Sequence, residues 1–231
     1  MIIFNGHSSD DLGVFVEHYP YRGIPVRKFE KVSVPGRNGD LIFPEDAYEN
    51  IIQSYDIYLS AKGCKTNNAA RNVANWLMQR GYKRLEDSYD PEIFRMAYYS
   101  GGSEIENYLN EFGRTTIEFN CMPQRWLKSG EKPISFSGSI NLTNPTGFES
   151  KPLITLRGSG NVTMSVNGNA INIAGLSEYV TLDSEIMECY KGNENKNSSM
   201  TGKFPVLSDS NIIVLGTGIT SAEIIPRWWA I

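Results

Sequence analysis

NVTMSVNGNAINI, residues 161–173, decides the fold of the second half of the chain. Val162, Met164 and Val166 fall on alternate positions, and Ile171 and Ile173 resume the pattern after Asn167-Gly168. Alternation gives a strand one apolar face. Asn-Gly is the preferred pair for a two-residue hairpin turn, where both central residues take positive φ; Gly168-Asn169 is the overlapping alternative. Outward from this hairpin the period stays near two. Val180 with Leu182, then Ile212–Leu215, then Ala222–Ile225 predict further strands at spacings typical of a small β-sandwich. Gly192–Lys203 has Met200 as its single large apolar residue and is predicted to be a solvated loop.

The first half mixes periods. Val32 and Val34 alternate with polar neighbours up to Pro35-Gly36, predicting a strand that ends in a turn. Asn38-Gly39 and Pro44 mark further turns. Tyr55, Ile57 and Leu59 predict a strand with one buried face, and so do Ile117, Phe119 and Cys121, closed by Pro123. Residues 67–80 predict a helix: Ala70, Val73, Ala74 and Leu77 share a face, Thr66 or Asn67 supplies a cap, and Gly81 stands at the C-terminal end.

Between Lys128 and Lys151 the composition shifts to Ser, Gly, Asn, Thr and Pro. This stretch predicts a boundary, giving an α+β domain over 1–130 with one main helix and an all-β domain over 131–231. A length of 231 residues fits two small domains or one large one. With 21% charged and 11% aromatic residues the chain has apolar surface to bury, which excludes a mainly disordered class. Its longest apolar runs, Met1–Phe4 and Ile212–Leu215, are far too short to span a bilayer. Polar Asn5 and His7 follow the first run at once, so no signal peptide is expected. Net charge is −4, shared equally by the two parts, without the basic excess that drives binding to phosphate backbones.

No residue set carries catalysis convincingly. Cys64, Cys121 and Cys189 are widely spaced, and His7 and His18 lack metal-ligand spacing, so free thiols and ordinary surface histidines are expected. Carboxylates gather at Glu45-Asp46, Glu86-Asp87 with Asp90, Glu104 with Glu106, and Asp183 with Glu185. An acid pair could serve a glycosidase, but two residues apart on one strand face is a common solvent-facing arrangement. Gly158-Ser-Gly160 and Gly216-Thr-Gly218 lack a third glycine and a following helix, so they read as turns or bulges. Trp228 and Trp229 are adjacent: one should enter the core and the other face outward, where it could stack on a sugar or a partner. The expectation is no catalytic, cofactor or metal site.

Several segments together resemble the distal tail proteins (Dit) of siphovirus-type phage tails. They are VSVPGRNGDL (Val32–Leu41), YENIIQSYDIYL (Tyr48–Leu59), ANWLMQRGYKRLEDSYDPEIFRMAYY (Ala74–Tyr99) and FNCMPQRWL (Phe119–Leu127). In the second half they are NPTGFESKPLITLRGSGNVTMSVNG (Asn144–Gly168), YVTLDSE (Tyr179–Glu185), GKFPVLSDSNII (Gly202–Ile213) and the terminal IIPRWWAI. One departure stands out: Asp209-Ser210-Asn211 lacks the family's usual turn glycine.

The resemblance implies a virion structural protein from a phage or prophage. Its β-rich N-terminal domain would form a hexameric ring, and its C-terminal domain would be a galectin-like sandwich. Such a ring joins the tail-tube protein to a tail-associated lysin or fibre protein and carries receptor-binding or baseplate proteins. DNA passes through its channel without sequence-specific contact, and assembly takes place in host cytoplasm. About 100 residues after the boundary leave no room for the extra carbohydrate module of some relatives, so no tight sugar binding is expected. The competing readings are a lectin-like module for host adhesion and a hydrolase using an acid pair. The Arg37-Asn38-Gly39 turn and Gly101–Gly113 are the candidate interface segments.

Overall fold

The computed structural model describes residues 1–20, 23–60, 66–101, 106–108 and 112–231. The chain forms two compact units, Met1–Arg125 with Ile231, and Trp126–Ala230. The structural division thus falls at 125/126, against 130/131 from composition.

The first unit is a curled antiparallel sheet. Its strands run in the order His7–Ser8, Ile2–Phe4, Lys83–Asp87, Ile93–Tyr99, Phe112–Cys121, Ile51–Ser60 and Val14–Val16. Ile51–Ser60 alternates buried and open positions throughout, as Tyr55, Ile57 and Leu59 predict, and pairs with Phe112–Cys121 over ten residues. Each large apolar side chain fully removed from water there contributes about 1.5–3 kcal/mol.

Thr66–Leu77 is the one α-helix among the described residues. Its inner face differs from the predicted one: Trp76 is buried with Val73 and Leu77, while Ala74 is exposed. Trp76 is fixed by an edge-on contact with Phe4 and by its Nε1–H, which donates to the Phe4 carbonyl at 3.1 Å. The helix ends at Leu77, before Arg80, and the Gln79 side-chain Nε2 donates to the carbonyls of Asn75 and Trp76 in its last turn. The side chains of Thr66 and Asn67 lie outside the described residues.

The second unit is built on one hairpin, Leu153–Val166 with Asn169–Asp183. Asn167 and Gly168 both adopt positive φ in its two-residue turn, as their identity predicts. Val180 and Leu182 do not form a separate strand. They continue the strand of Ile171 and Ile173 past a bulge between Gly160 and Val162. The bend lets each long strand serve two layers. Leu153–Gly158 pairs with Ile219–Ile225, whereas Met164–Val166 pairs with Ser210–Leu215. Inward residues of both layers (Ile154, Leu156, Met164, Ile213 and Ile224 among them) make one core, so the unit is a β-sandwich.

Turn-rich composition conceals packed residues in two places. The 128–151 stretch, read as a boundary, contains strands Ile134–Phe136 and Ser139–Thr143, whose alternate apolar residues pack on the core. Gly192–Lys203 contains Met200, partly buried against that core, and Asn197, whose Oδ1 accepts the Cys189 amide at 2.6 Å.

Candidate assembly surface

Three of the acidic groups, Glu86, Asp87 and Asp183, are committed to structure. Asp87 accepts the buried Tyr55 hydroxyl at 2.8 Å and the amides of Tyr89 and Asp90, closing the end of its strand. Burial, then the neighbouring Asp87 carboxylate, push the Tyr55 hydroxyl well above its ordinary pKa. Glu86 pairs with Arg84. Asp183 is buried and held bidentately by Arg227. Burial works to raise its carboxyl, but Arg227 and the Glu185 and Ile186 amides outweigh that and hold it below the usual carboxylate value. A carboxylate so held is a poor proton donor. Glu45 and Asp46 lie exposed; Glu104 and the Glu106 side chain are outside the described residues.

His7 is exposed and His18 largely so, 4.0 Å from Glu17. Cys121 and Cys189 are free and buried. Burial pushes the Cys121 thiol up to about 12 and raises that of Cys189, which keeps both protonated and unreactive. Cys64 lies outside the described residues. Among the described residues no group of three or more His, Cys, Asp and Glu is placed to hold a metal, and no helix is long and apolar enough to cross a membrane.

The two glycine motifs meet each other. The Gly218 carbonyl accepts the Ser159 amide at 3.0 Å, and a Cβ on Gly158 would stand 2.1 Å from that oxygen. They form the bulged corner of the sandwich. Trp228 is buried in the core, while Trp229 is half-buried against Phe148 at 4.8 Å and donates Nε1–H to the Glu149 carbonyl. Asp209-Ser210-Asn211 manages without glycine: buried Asn211 accepts the Ser208 amide and donates to the Ser208 and Leu142 carbonyls.

One element of the first unit stays outside its core. Arg27–Val32 and Leu41–Tyr48 form a separate two-stranded sheet, an arm joined at its turn through Arg37-Asn38-Gly39. Val32 is exposed there, and Val34 beside it, instead of lining the core. Pro44 is not in a turn: it sits within the second strand opposite Phe29, beside the register shift, a place a residue without an N–H can occupy. Register puts Phe29, Lys31 and Ile42 on one face and Val32, Leu41 and Phe43 on the other. Ile42 is 60% exposed and Phe43 53%. At its base Arg27 donates to the Tyr48 hydroxyl at 2.9 Å, and the Glu49 amide donates to the Val26 carbonyl. An isolated two-stranded hairpin is marginal in water, and apolar groups on both its faces mark a surface made to be covered. The sequence pointed only to the Arg37-Asn38-Gly39 turn. The signal for the rest was apolar residues on both strands of a hairpin whose neighbours are charged. Of Gly101–Gly113, residues 102–105 and 109–111 lie outside the described residues.

Residues 18–121, within the first unit and including the arm, match the family described as the phage tail protein RIFT-related domain. Residues 18–121 are thus similar to a phage tail protein domain. The chain's resemblance to siphovirus-type distal tail proteins is borne out. Among solved structures, the chain is similar to the crystal structure of the Dit protein of phage SPP1, described as a paradigm of the hub adsorption apparatus in phages infecting Gram-positive hosts. Identity is 12% with 96% of each chain covered and a TM-score of 0.75, so the fold is shared. The baseplate of phage p2 in its activated, strontium-containing form gives 8% identity, 92% and 89% coverage and a TM-score of 0.49. No curated protein sequence matches the chain.

Proposed function

We propose that this chain is a non-catalytic structural component of a phage tail tip. It assembles through the arm with copies of itself into a hexameric ring and joins the tail-tube protein to a tail-associated lysin or fibre protein. In this reading its second unit is a galectin-like sandwich that carries receptor-binding or baseplate proteins, and assembly takes place in host cytoplasm. The observation that carries the reading is the two-faced apolar arm, set within the segment that matches the phage tail domain. A net charge of −4 is compatible with a channel that passes DNA without retaining it.

The lectin alternative loses its main support, because Trp229 is tied to the Glu149 carbonyl and packed at a tilt against Phe148 instead of standing free as a sugar platform. Negative-stain images of the purified chain test the proposal: closed rings with a central channel are expected. A chain that stays dispersed at high concentration, with and without the tail-tube protein, would contradict it.

A further inference from the structure

The arm has two edges as well as two faces. Among the described residues, Arg27–Val32 and Leu41–Tyr48 pair with each other and with no third strand. The outer row of N–H and carbonyl groups on each strand is therefore a template for strand addition. Arms able to pair on both edges would add to one another head to tail, a contact that need never close on itself.

Pro44 interrupts one of these rows. In an antiparallel ladder, opposed residues alternate between pairs that exchange both N–H···O bonds and pairs that exchange none. Phe29 stands opposite Pro44, and Glu30–Phe43, Lys31–Ile42 and Val32–Leu41 follow in the same register. Proline has no N–H to exchange, so Phe29–Pro44 is a non-bonded pair and the exchanging pair beside it is Glu30–Phe43. The same alternation turns the backbone nitrogens of Ile42 and Pro44 outward, to the open edge. An arriving strand finds a donor at Ile42 and none at Pro44. Beyond Pro44 the longer span Pro44–Tyr48 faces the shorter Arg27–Phe29, with Glu45 and Asp46 exposed on it. The row does not resume in phase there. On the opposite edge, Phe29 and Lys31 keep their outward donors. The arm thus has one edge that can pair and one that cannot.

We propose that Pro44 is an assembly guard: it closes one edge of the arm, so that strand pairing with a second copy of this chain stops at two arms. With both edges open, pairing would run on into a β-polymer, held further by Phe29, Ile42 and Phe43 on its faces. The guard matters while the chain is unassembled and its arm uncovered. It goes beyond the ring reading and does not depend on it.

The test uses the full chain. Pro44→Thr restores the missing donor with a residue suited to strands. The arm lies outside the core of the first unit, so the wild-type circular dichroism spectrum is expected. Sedimentation velocity over a concentration series should show material shifted beyond the wild-type boundary, growing with concentration and fibrous in negative stain. Adding Ile42→Pro to Pro44→Thr closes the same row two residues along and should abolish that growth. Adding Ile42→Thr removes the same apolar side chain but keeps the donor, and should leave the growth in place. A Pro44→Thr chain that sediments as wild type overturns the guard. Growth that survives Ile42→Pro, or that Ile42→Thr abolishes, also overturns it, because side chains and not the backbone row would then hold the polymer. Failure of the ring reading appears separately, in the mass of the wild-type chain.

Discussion

Arg227 grips Asp183 with both ends of its guanidinium, Nη1 at 2.6 Å from Oδ1 and Nη2 at 2.9 Å from Oδ2. The pair joins the last segment of the chain to the end of the long hairpin and removes the most plausible catalytic acid from chemistry. Replacing Asp183 by Asn would leave Arg227 with a neutral partner in a largely buried setting, a loss of about 2–4 kcal/mol. Chemical denaturation of wild type and variant, compared at neutral pH, measures it.

The same pair sets a pH dependence. Asp183 has a folded pKa below its unfolded value, so its contribution is complete above about pH 4 and fades as acid carries the pH down through the folded pKa. Thermal midpoints followed from pH 6 downward should fall more steeply for wild type than for Asp183→Asn. Parallel curves would show that the pair adds no acid sensitivity.

The corner of the sandwich makes a sharp contrast between two neighbouring glycines. Gly158→Ala forces a methyl into the Gly218 carbonyl and should cost about 1–3 kcal/mol or more through backbone displacement. Gly160 has open space around it but sits at φ 84°, so Gly160→Ala should cost about 1–2 kcal/mol from the left-handed conformation alone. Calorimetry on both variants should find Gly158→Ala the less stable.

How much of this was legible in sequence depends on how local the cause is. Asn167-Gly168 and the alternation around it specify their hairpin from within. That Val180 and Leu182 prolong the same strand depends on a corner made by Gly158 and Gly218, residues sixty positions apart, which no local period records. Ile134, Phe136, Ile140 and Leu142 alternate in a stretch otherwise full of turn-forming residues, so composition concealed two strands. At the arm, alternation identifies a strand but not what covers it. Phe29 and Ile42 look like core residues in sequence, and only the two-stranded sheet shows them facing outward. Trp76 displaces Ala74 from the helix core because its indole reaches the Phe4 carbonyl, a partner 72 residues away.

Two of the chain's three Asn-Gly pairs provide a chemical readout of the arm. The Asn167 amide is tied on both sides, to Asn211 at 3.0 Å and to the Ile212 amide at 2.9 Å, within a hairpin ladder. Asn38 is exposed at the arm's turn, next to a glycine whose nitrogen can attack its side-chain carbonyl and expel ammonia. Peptide mapping after prolonged incubation of the unassembled chain should find aspartate and isoaspartate at position 38 well before position 167. The opposite order would show that the arm's turn is the better protected of the two.

The central claim is that the exposed faces of the arm are covered by other copies of the chain. Sedimentation equilibrium of wild type beside the double variant Phe29→Asp with Phe43→Asp tests it most directly. One charge falls on each face of the arm, outside the core of the first unit, so the variant should fold with the wild-type circular dichroism spectrum. The account predicts a closed oligomer, six copies in mass, for wild type and a monomer for the variant. Equal masses for the two folded proteins would contradict it.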